Sequence, residues 1–201
     1  MCRFIETIRI TDGCPLNLPL HQARMRSTMR YFWPDAVVPL LDDILSPLPS
    51  QDGVIKARIV YDSSGIVDIS MTPYEMRNVR SLRVVNDNAI EYSYKSVDRS
   101  SLERLLAMRD GCDDVVIVKK GLLTDTSYTN MALCDGQQWW TPRKPLLQGT
   151  MRQKLIAERA IYEADIALND INQFQQIALF NAMIDFGSLV LDIKDIILGH
   201  R

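Results

Sequence analysis

Histidine is scarce in this chain, whose 201 residues include only His21 and His200. Two histidines offer little support for the catalytic triad of a hydrolase or for a histidine-based metal site, and we expect no bound metal. The cysteines are few and scattered, without any CxxC pair: Cys2, Cys14, Cys112 and Cys134. This spacing argues against a zinc site or a disulfide framework and predicts a reducing compartment, with the cytoplasm as the default.

The chain also lacks an excess of positive charge and a long apolar run. Its 23 Lys and Arg residues face 25 Asp and Glu residues, and no basic block stands beside stacking aromatics, which disfavours nucleic-acid binding. The most apolar late stretch is interrupted by Asp185, Asp192 and Asp195, and the N-terminus alternates polar with apolar residues. We therefore expect neither a signal peptide nor a membrane span.

Short strand patterns and a few helices fill the first half of the sequence. FIETIRI alternates polar and β-branched residues before the turn dipeptide Asp12-Gly13 and predicts a strand. Helical spacing predicts a helix over 18–32, and a second helix over 37–48 would be ended by prolines. Further strand patterns follow at 54–62, 65–74 and 81–86. Together they predict an α+β lobe.

The second half has the same mixed character. A helix is predicted from Ser100 to Arg109, and residues 113–142 resemble a β-meander with turns at Lys120-Gly121 and Asp135-Gly136. A short strand is predicted within 158–170, and residues 174–193 mix strand and helix patterns. We expect two lobes, 1–88 and 89–201, with a ligand site at their boundary, as is typical of small-molecule pockets.

One predicted helix start is suited to bind an anion. In LLQGTMRQKLI, Gly149 and Thr150 precede an apolar run with helical spacing. The first N–H groups of a helix have no intrahelical partners and the helix dipole adds partial positive charge there, so a phosphate fits this place. The alternative is that Thr150 is only the N-cap of a surface helix.

Three further side chains can be interpreted either as functional groups or as ordinary surface or turn residues. Lys95 in EYSYKSVDR can form a Schiff base if partial burial keeps its amine neutral, or it can be an exposed lysine at a helix start. Asp125 in TDTSYTN can pair with a ring nitrogen, or it can belong to a polar turn. Arg58 in VIKARIVYD can bind a substrate carboxylate, or it can be an ordinary surface arginine.

Six motifs, in this order, give the sequence a family resemblance: FIETIRI, HQARM, YKSVDR, KKGLLTDTSYTN, TPRKPLLQGTMR and FNAM. Over nearly its whole length the chain resembles the class IV aminotransferases, which are the fold-type IV pyridoxal-phosphate enzymes. The resemblance implies a two-lobe α+β fold like that of D-amino-acid aminotransferase, with pyridoxal 5'-phosphate between the lobes. It also implies a homodimer that acts on a small-molecule amine.

The resemblance assigns roles to residues that hold the phosphate. The helix start at Gly149, Thr150 and Met151 matches the family's phosphate cradle, and Arg24 of HQARM matches the arginine that also binds the phosphate. Asn181 and Ala182 of FNAM match a late segment that approaches the phosphate or the substrate carboxylate.

It also assigns the residues near the cofactor ring. Lys95 corresponds to the Schiff-base lysine, and Asp125 occupies the position where the family usually has a glutamate against the pyridine nitrogen. The aspartate is one methylene shorter, so the strand or the ring must shift or the contact lengthens. Asn130 matches the motif's asparagine, which we interpret either as structural or as a support for a residue that touches the cofactor. Many relatives carry an extra lead-in strand before FIETIRI, and any substrate contact from it is expected to be absent or replaced here.

Two reactions of the family compete. One is cleavage of 4-amino-4-deoxychorismate to 4-aminobenzoate and pyruvate, a step of folate biosynthesis, and the other is transamination of branched-chain or D-amino acids. The short pattern with TDTS and GTMR is more similar to the lyase branch, in which Lys95 would also move protons. A different class of function is a scaffold that binds pyridoxal phosphate but has lost catalysis, against which the intact Lys95 argues.

Overall fold

The structure is a computed structural model that describes residues 2–46 and 53–198. His200 and the end of the second predicted helix, Pro47 and Leu48, lie outside these ranges. Within them, strands in three sheets combine with a few helices, which confirms the predicted α+β class. None of the helices described is long and apolar enough to cross a membrane.

The described residues divide into two compact units, each with its own core. The first contains the residues up to Met76 together with Tyr94–Asp98, and the second contains Arg77–Ser93 and the residues from Arg99 onward. This division differs from the predicted boundary at 88/89. The predicted strand at 81–86 pairs with a strand of the second unit, whereas residues 94–98 pair with the first strand of the chain.

The first unit is an antiparallel sheet covered by one long helix. Its strands have the order β2-β1-β3-β4. Their bounds are Phe4–Thr11 for β1, Cys14–Pro15 for β2, Val54–Asp62 for β3 and Gly65–Pro73 for β4; helix α1 is Leu18–Phe32 and helix α2 is Leu41–Ile44. Asp12 and Gly13 adopt φ values of 51° and 72°, which confirms the turn predicted at this dipeptide.

Side chains along β1 alternate between two faces, and one of these faces packs against α1. Every second residue from Phe4 is buried, and this face packs with Met25 and Met29 of α1 in the core of the unit. The second predicted helix is wrong over 37–40. Leu40 is extended, with φ −89° and ψ 120°. In addition, a proline disfavours helical conformations of the residue before it, and Val38 precedes Pro39.

The second unit contains two sheets, with strand orders β13-β5-β6-β7 and β10-β9-β8-β11-β12. The strands of the first of these sheets are β5 Leu82–Asn86, β6 Asp114–Lys119, β7 Leu122–Thr126 and β13 Ile196–Ile197. Those of the second are β8 Asn130–Cys134, β9 Trp139–Pro142, β10 Tyr162–Ala164, β11 Gln176–Phe180 and β12 Val190–Asp192. Helix α3 is Ser100–Leu106 and helix α4 is Thr150–Ala157.

The strands and turns of the predicted meander are confirmed, but the meander is not a single sheet. β6 and β7 belong to one sheet, and β8 and β9 belong to the other. The chain passes from one sheet to the other in the tight turn after Thr126. In this turn the Thr126 N–H donates to the Thr129 carbonyl, and the Thr129 N–H donates to Thr126 Oγ1 at 3.0 Å. The break places Asp125 and Asn130 at neighbouring ends of two strands.

Candidate active site

Arg24, the predicted phosphate arginine, is held by a buried carboxylate. Its Nε donates to Glu6 Oε1 at 3.0 Å and a terminal nitrogen donates to Glu6 Oε2 at 2.5 Å. Glu6 is fully buried because it lies on the inward face of β1. Burial alone would raise the pKa of Glu6, but the charge of Arg24 and the hydrogen bonds from His21 and Arg24 lower it to about 2. Arg24 and His21 therefore stabilise the ionised form of Glu6.

His21 completes this cluster one helical turn before Arg24. Its Nδ1 lies 2.6 Å from Glu6 Oε2, and its side chain is fully buried. Burial lowers the pKa of His21 against the opposing effect of Glu6, and the charges of Arg24 and Lys95 lower it further. A neutral imidazole next to an ionised carboxylate must carry its proton on Nδ1, so His21 donates to Glu6.

Lys95, the predicted Schiff-base lysine, lies beside the same cluster. The Lys95 carbonyl accepts the Ile5 N–H at 2.9 Å, and Ser96 forms an isolated bridge with Phe4. The segment is therefore attached to the edge of β1 one residue before Glu6. The side chain is partly buried and close enough for its charge to affect His21. The first unit thus brings Arg24 and Lys95 together around Glu6 and His21.

Arg58 is not brought to this cluster. Arg58 on β3 pairs with Thr7 of β1, whereas Glu6 pairs with Ile59. Because side chains alternate along a strand, Arg58 projects from the face opposite to Glu6. Its guanidinium donates to Asp68 of β4 at 3.1 Å, with both side chains substantially exposed. Its role toward a substrate carboxylate stays a prediction.

Asp125 of the second unit is a buried carboxylate with two neutral donors. Asn130 Nδ2 donates to its Oδ1 at 2.8 Å, and the Leu147 N–H donates to its Oδ2 at 2.9 Å. Burial raises the pKa of Asp125 to about 6, in spite of these hydrogen bonds and the charge of Arg152, which lower it. A cation placed against this carboxylate, such as a protonated ring nitrogen, would lower its pKa and stabilise its charged form.

Asn130 connects Asp125 to the predicted phosphate cradle. Its Nδ2 also donates to the Leu147 carbonyl at 2.9 Å, and a Cβ placed on Gly149 would lie 1.9 Å from its Oδ1. Only a glycine at 149 permits this close approach. The prediction of a structural Asn130 has a concrete basis, since the amide fixes the loop that leads into α4.

The helix start itself has the expected geometry. Gly149 is the N-cap with extended φ and ψ of −68° and 145°, and a glycine has no side chain that could cap the helix. The first intrahelical bond runs from the Gln153 N–H to the Gly149 carbonyl, so the N–H groups of the first turn have no intrahelical acceptor. The Met151 side chain is buried in the core of the unit with Leu155 and Phe180, so only its backbone can serve a phosphate.

Asn181 and Ala182 form the turn after β11. Asn181 Oδ1 accepts the N–H groups of Met183 and Ile184 at 2.8 and 3.1 Å, and its Nδ2 donates to the Tyr128 carbonyl at 3.2 Å. The side chain thus ties this turn to the TDTSYTN loop. Its approach to a phosphate or a substrate remains a prediction.

The sequence interpretation missed three side chains of these clusters. Glu6 and His21 were inside quoted motifs but received no role, although a carboxylate on the buried face of an alternating strand is itself a signal. Arg152 of GTMR is 2% exposed and donates to Gln148 Oε1, the Pro142 carbonyl and Glu163 Oε1. A buried arginine in the first turn of α4 holds this helix in place.

The residues fit pyridoxal phosphate by their chemistry. A helix start with a glycine as its N-cap suits a phosphate, and an arginine oriented by a carboxylate adds a cation. A partly buried lysine supplies an amine, and a buried carboxylate with neutral donors suits the ring nitrogen. No group of His, Cys, Asp or Glu suited to a metal ion occurs among the described residues.

Comparison with known proteins decides the family. The family model for amino-transferase class IV matches residues 3–189. The chain belongs to this family. Its members depend on pyridoxal phosphate, and the predicted resemblance is confirmed.

Individual relatives cover nearly the whole chain. An "Uncharacterized protein" from Haemophilus influenzae is 37% identical over 186 residues, which are 91% of this chain and 98% of the relative. The crystal structure of a "putative 4-amino-4-deoxychorismate lyase" from Haemophilus somnus is 33% identical, with a TM-score of 0.85 and coverage of 92% and 97%. A "Putative amino-acid aminotransferase" from Mesorhizobium loti has a TM-score of 0.80 at 19% identity, with coverage of 98% of this chain and 100% of the other. This last similarity shows the fold alone.

Proposed function

We propose that this protein is a pyridoxal-phosphate-dependent lyase that cleaves 4-amino-4-deoxychorismate to 4-aminobenzoate and pyruvate, a step of folate biosynthesis. The observation that carries the proposal is the 33% identity and TM-score of 0.85 with the Haemophilus somnus protein, which is named as a lyase of this kind. The fold similarity to the Mesorhizobium loti protein adds no information on the reaction. We further propose a homodimer, as in the family.

In this proposal the phosphate-binding groups are the ones that the family resemblance assigns, Arg24 in the first unit and the start of α4 in the second. Arg24 offers a guanidinium that Glu6 already orients. The backbone N–H groups of Thr150 and Met151 offer donors with the positive end of the helix dipole. Gly149 lets the loop lie against Asn130, so the donors are positioned before the ligand arrives.

Lys95 would carry the proton transfers. When bound, the cofactor supplies an electron sink for the carbon that bears the amine. Lys95 Nζ would accept the proton from that carbon, and the enolpyruvyl group would leave from the neighbouring carbon with its oxygen. The same amine would return a proton to the departing group, which becomes pyruvate. No oxidant or keto acid is consumed.

Asp125 would stabilise the protonated ring nitrogen. Its carboxylate is fixed by Asn130 and the Leu147 N–H, so its orientation does not depend on the ligand. Since both of its partners are neutral donors, a cationic nitrogen would be its strongest electrostatic partner. This interaction would favour electron withdrawal from the substrate.

The assignment of Lys95 is tested by chemical trapping. Borohydride reduction converts a lysine-bound pyridoxal phosphate into a stable secondary amine, and peptide mapping identifies the lysine. We expect the adduct on Lys95. An adduct on Lys119 or Lys120, or no adduct on protein supplied with the cofactor, would contradict the proposal.

A further inference from the structure

The three side chains of the Glu6 cluster differ in their access to solvent. The side chains of Glu6 and His21 are fully buried, whereas that of Arg24 is 11% exposed. A ligand can therefore reach Arg24 but cannot contact the carboxylate behind it. This is the arrangement of a binding side chain supported from inside the protein.

The bonds of the cluster fix the plane of the guanidinium. Arg24 donates to both oxygens of Glu6, through Nε at 3.0 Å and through a terminal nitrogen at 2.5 Å. Paired N–H donors on one carboxylate define an orientation as well as a distance. An arginine held in this way loses little further conformational freedom when it binds an anion.

His21 in turn fixes the carboxylate. It donates through Nδ1 to Glu6 Oε2, the oxygen that also accepts the terminal nitrogen of Arg24. Because the imidazole is neutral, it orients Glu6 without adding a second cation next to Arg24. The backbone of β1 provides the remaining constraint, since Glu6 lies in the ladder opposite Ile59.

We propose that Glu6 and His21 are positioning residues for Arg24, which hold its guanidinium in the orientation that binds the phosphate of the cofactor. The proposal rests on the proposed function, because it takes the anion at Arg24 to be the phosphate of pyridoxal phosphate. Neither Glu6 nor His21 touches the ligand in this arrangement. Their contribution is confined to ligands that carry the phosphate.

The test compares the affinities of pyridoxal phosphate and pyridoxal for wild type and Glu6→Gln. Glutamine keeps the size of the side chain but removes the charge that holds Arg24. By analogy with residues that orient metal ligands, we expect roughly tenfold to hundredfold weaker binding of pyridoxal phosphate. Pyridoxal, which lacks the phosphate, should bind both proteins alike. An equal loss for both ligands, or no loss for either, would overturn the proposal.

A double variant separates positioning from general damage. Arg24→Met should weaken pyridoxal phosphate binding by itself, and Glu6→Gln should add no further loss in that background, because it acts only through Arg24. Additive losses would contradict this. Asp62→Asn is the matched control, since Asp62 is also a buried carboxylate of the same sheet with an arginine partner, Arg3, at 3.6 Å. It should leave both affinities unchanged.

Two measures keep the test decisive. If Glu6→Gln does not fold, Glu6→Asp is used instead, because aspartate keeps the charge but its side chain is shorter by one methylene. The same selective loss of affinity for the phosphorylated ligand is expected. The second measure uses inorganic phosphate and protein without cofactor. Phosphate should raise the Tm of wild type and of Asp62→Asn above a chloride control of equal ionic strength, and should raise that of Glu6→Gln much less.

The phosphate measurement also distinguishes this proposal from the proposed function. If borohydride trapping fails in wild type but the phosphate effect depends on Glu6, the proposed function falls and the support of Arg24 by Glu6 stands. If trapping labels Lys95 but phosphate raises the Tm of wild type and Glu6→Gln equally, the positioning role falls and the proposed function stands.

Discussion

Glu6 and Asp125 are two buried carboxylates, one in each unit, with opposite electrostatics. Glu6 accepts hydrogen bonds from Arg24 and His21, and its pKa falls to about 2 despite burial. Asp125 accepts hydrogen bonds from neutral donors such as Leu147 and Asn130, and burial raises its pKa to about 6. The comparison teaches that a cation in direct contact decides whether a buried acid is stabilised as an anion.

The difference suits the two proposed roles. Glu6 has its cation built into the protein, so it serves as a fixed support. Asp125 is oriented by hydrogen bonds from the neutral donors Asn130 and Leu147, and the nearby charge of Arg152 does not outweigh burial. In the proposed function, the ring nitrogen of the ligand would supply a cation to Asp125.

The largest effect is expected from removing the cation of Glu6. Arg24→Met leaves an ionised carboxylate buried without its guanidinium, which should cost about 3–5 kcal/mol of unfolding free energy. Urea unfolding without cofactor measures it. Arg26→Met, an exposed arginine on the same helix, is the control and should change stability by less than about 0.5 kcal/mol. Equal effects of the two substitutions would show that Glu6 does not depend on Arg24.

The next effect concerns catalysis at Asp125. Asp125→Asn keeps the size of the side chain but removes the charge for the ring nitrogen, and we expect kcat to fall by about 10²–10³ while cofactor stays bound. Steady-state rates and cofactor absorbance measure the two quantities. Asp114→Asn provides the control, because Asp114 is a fully buried aspartate of the same unit whose Oδ1 accepts the Val115 N–H. Unchanged turnover in Asp125→Asn would remove Asp125 from the site.

The pH dependence of stability should separate the two acids. Asp125 has a folded pKa near 6 against 3.8 for the unfolded group, so its contribution is fully present below pH 3.8 and is lost as pH rises through 6. Glu6 behaves oppositely: its contribution is present above pH 4.5 and is lost as pH falls towards 2. The pH ranges over which the two contributions to stability are lost, which we call their windows, overlap only slightly.

Asp125→Asn isolates the first window. Relative to wild type, the variant should gain about 3 kcal/mol of unfolding free energy between pH 3 and pH 7, because the amide does not titrate. Urea unfolding of both proteins at several pH values, without cofactor, gives this difference. Parallel stability curves for the two proteins would mean that Asp125 titrates normally in the folded state.

The smallest effect is expected at the link between Asp125 and the helix start. Gly149→Ala places a Cβ 1.9 Å from Asn130 Oδ1, so the loop or the amide must move, at a cost of about 1–3 kcal/mol. The cost should be smaller in an Asn130→Ala background, where the obstructing atom is gone. A double-mutant cycle by urea unfolding tests this, and strictly additive losses would contradict the close approach.

The sequence predicted most elements but not their pairing. Alternation and turn dipeptides gave β1 and the turns at Asp12-Gly13 and Lys120-Gly121, because these signals are local. The change of sheet after Thr126 and the return of residues 94–98 to β1 depend on contacts between distant segments, which local patterns do not contain. Pro39 restricts the preceding residue, and residues 37–40 are not helical.

The sequence predicts candidate site residues that lie in family motifs, but it does not predict their hydrogen-bond partners from distant segments. Family motifs single out Lys95, Arg24 and Gly149 as candidates, and their roles stay predictions. The bond of Arg24 to Glu6 joins residues 18 positions apart, and its existence follows only from the packing of α1 on β1. Likewise, the raised pKa of Asp125 comes from burial and from Leu147, 22 positions away, rather than from the TDTSYTN motif itself.

The most direct test of the proposed function is product formation from 4-amino-4-deoxychorismate with no keto acid added. A lyase regenerates its cofactor in each cycle, so we expect many turnovers with equal amounts of 4-aminobenzoate and pyruvate, and loss of both in Lys95→Ala. The contradicting result is no aromatic product from this substrate, together with conversion of a branched-chain amino acid or D-alanine that stops after one turnover and resumes when a keto acid is supplied. That outcome would identify the protein as an aminotransferase.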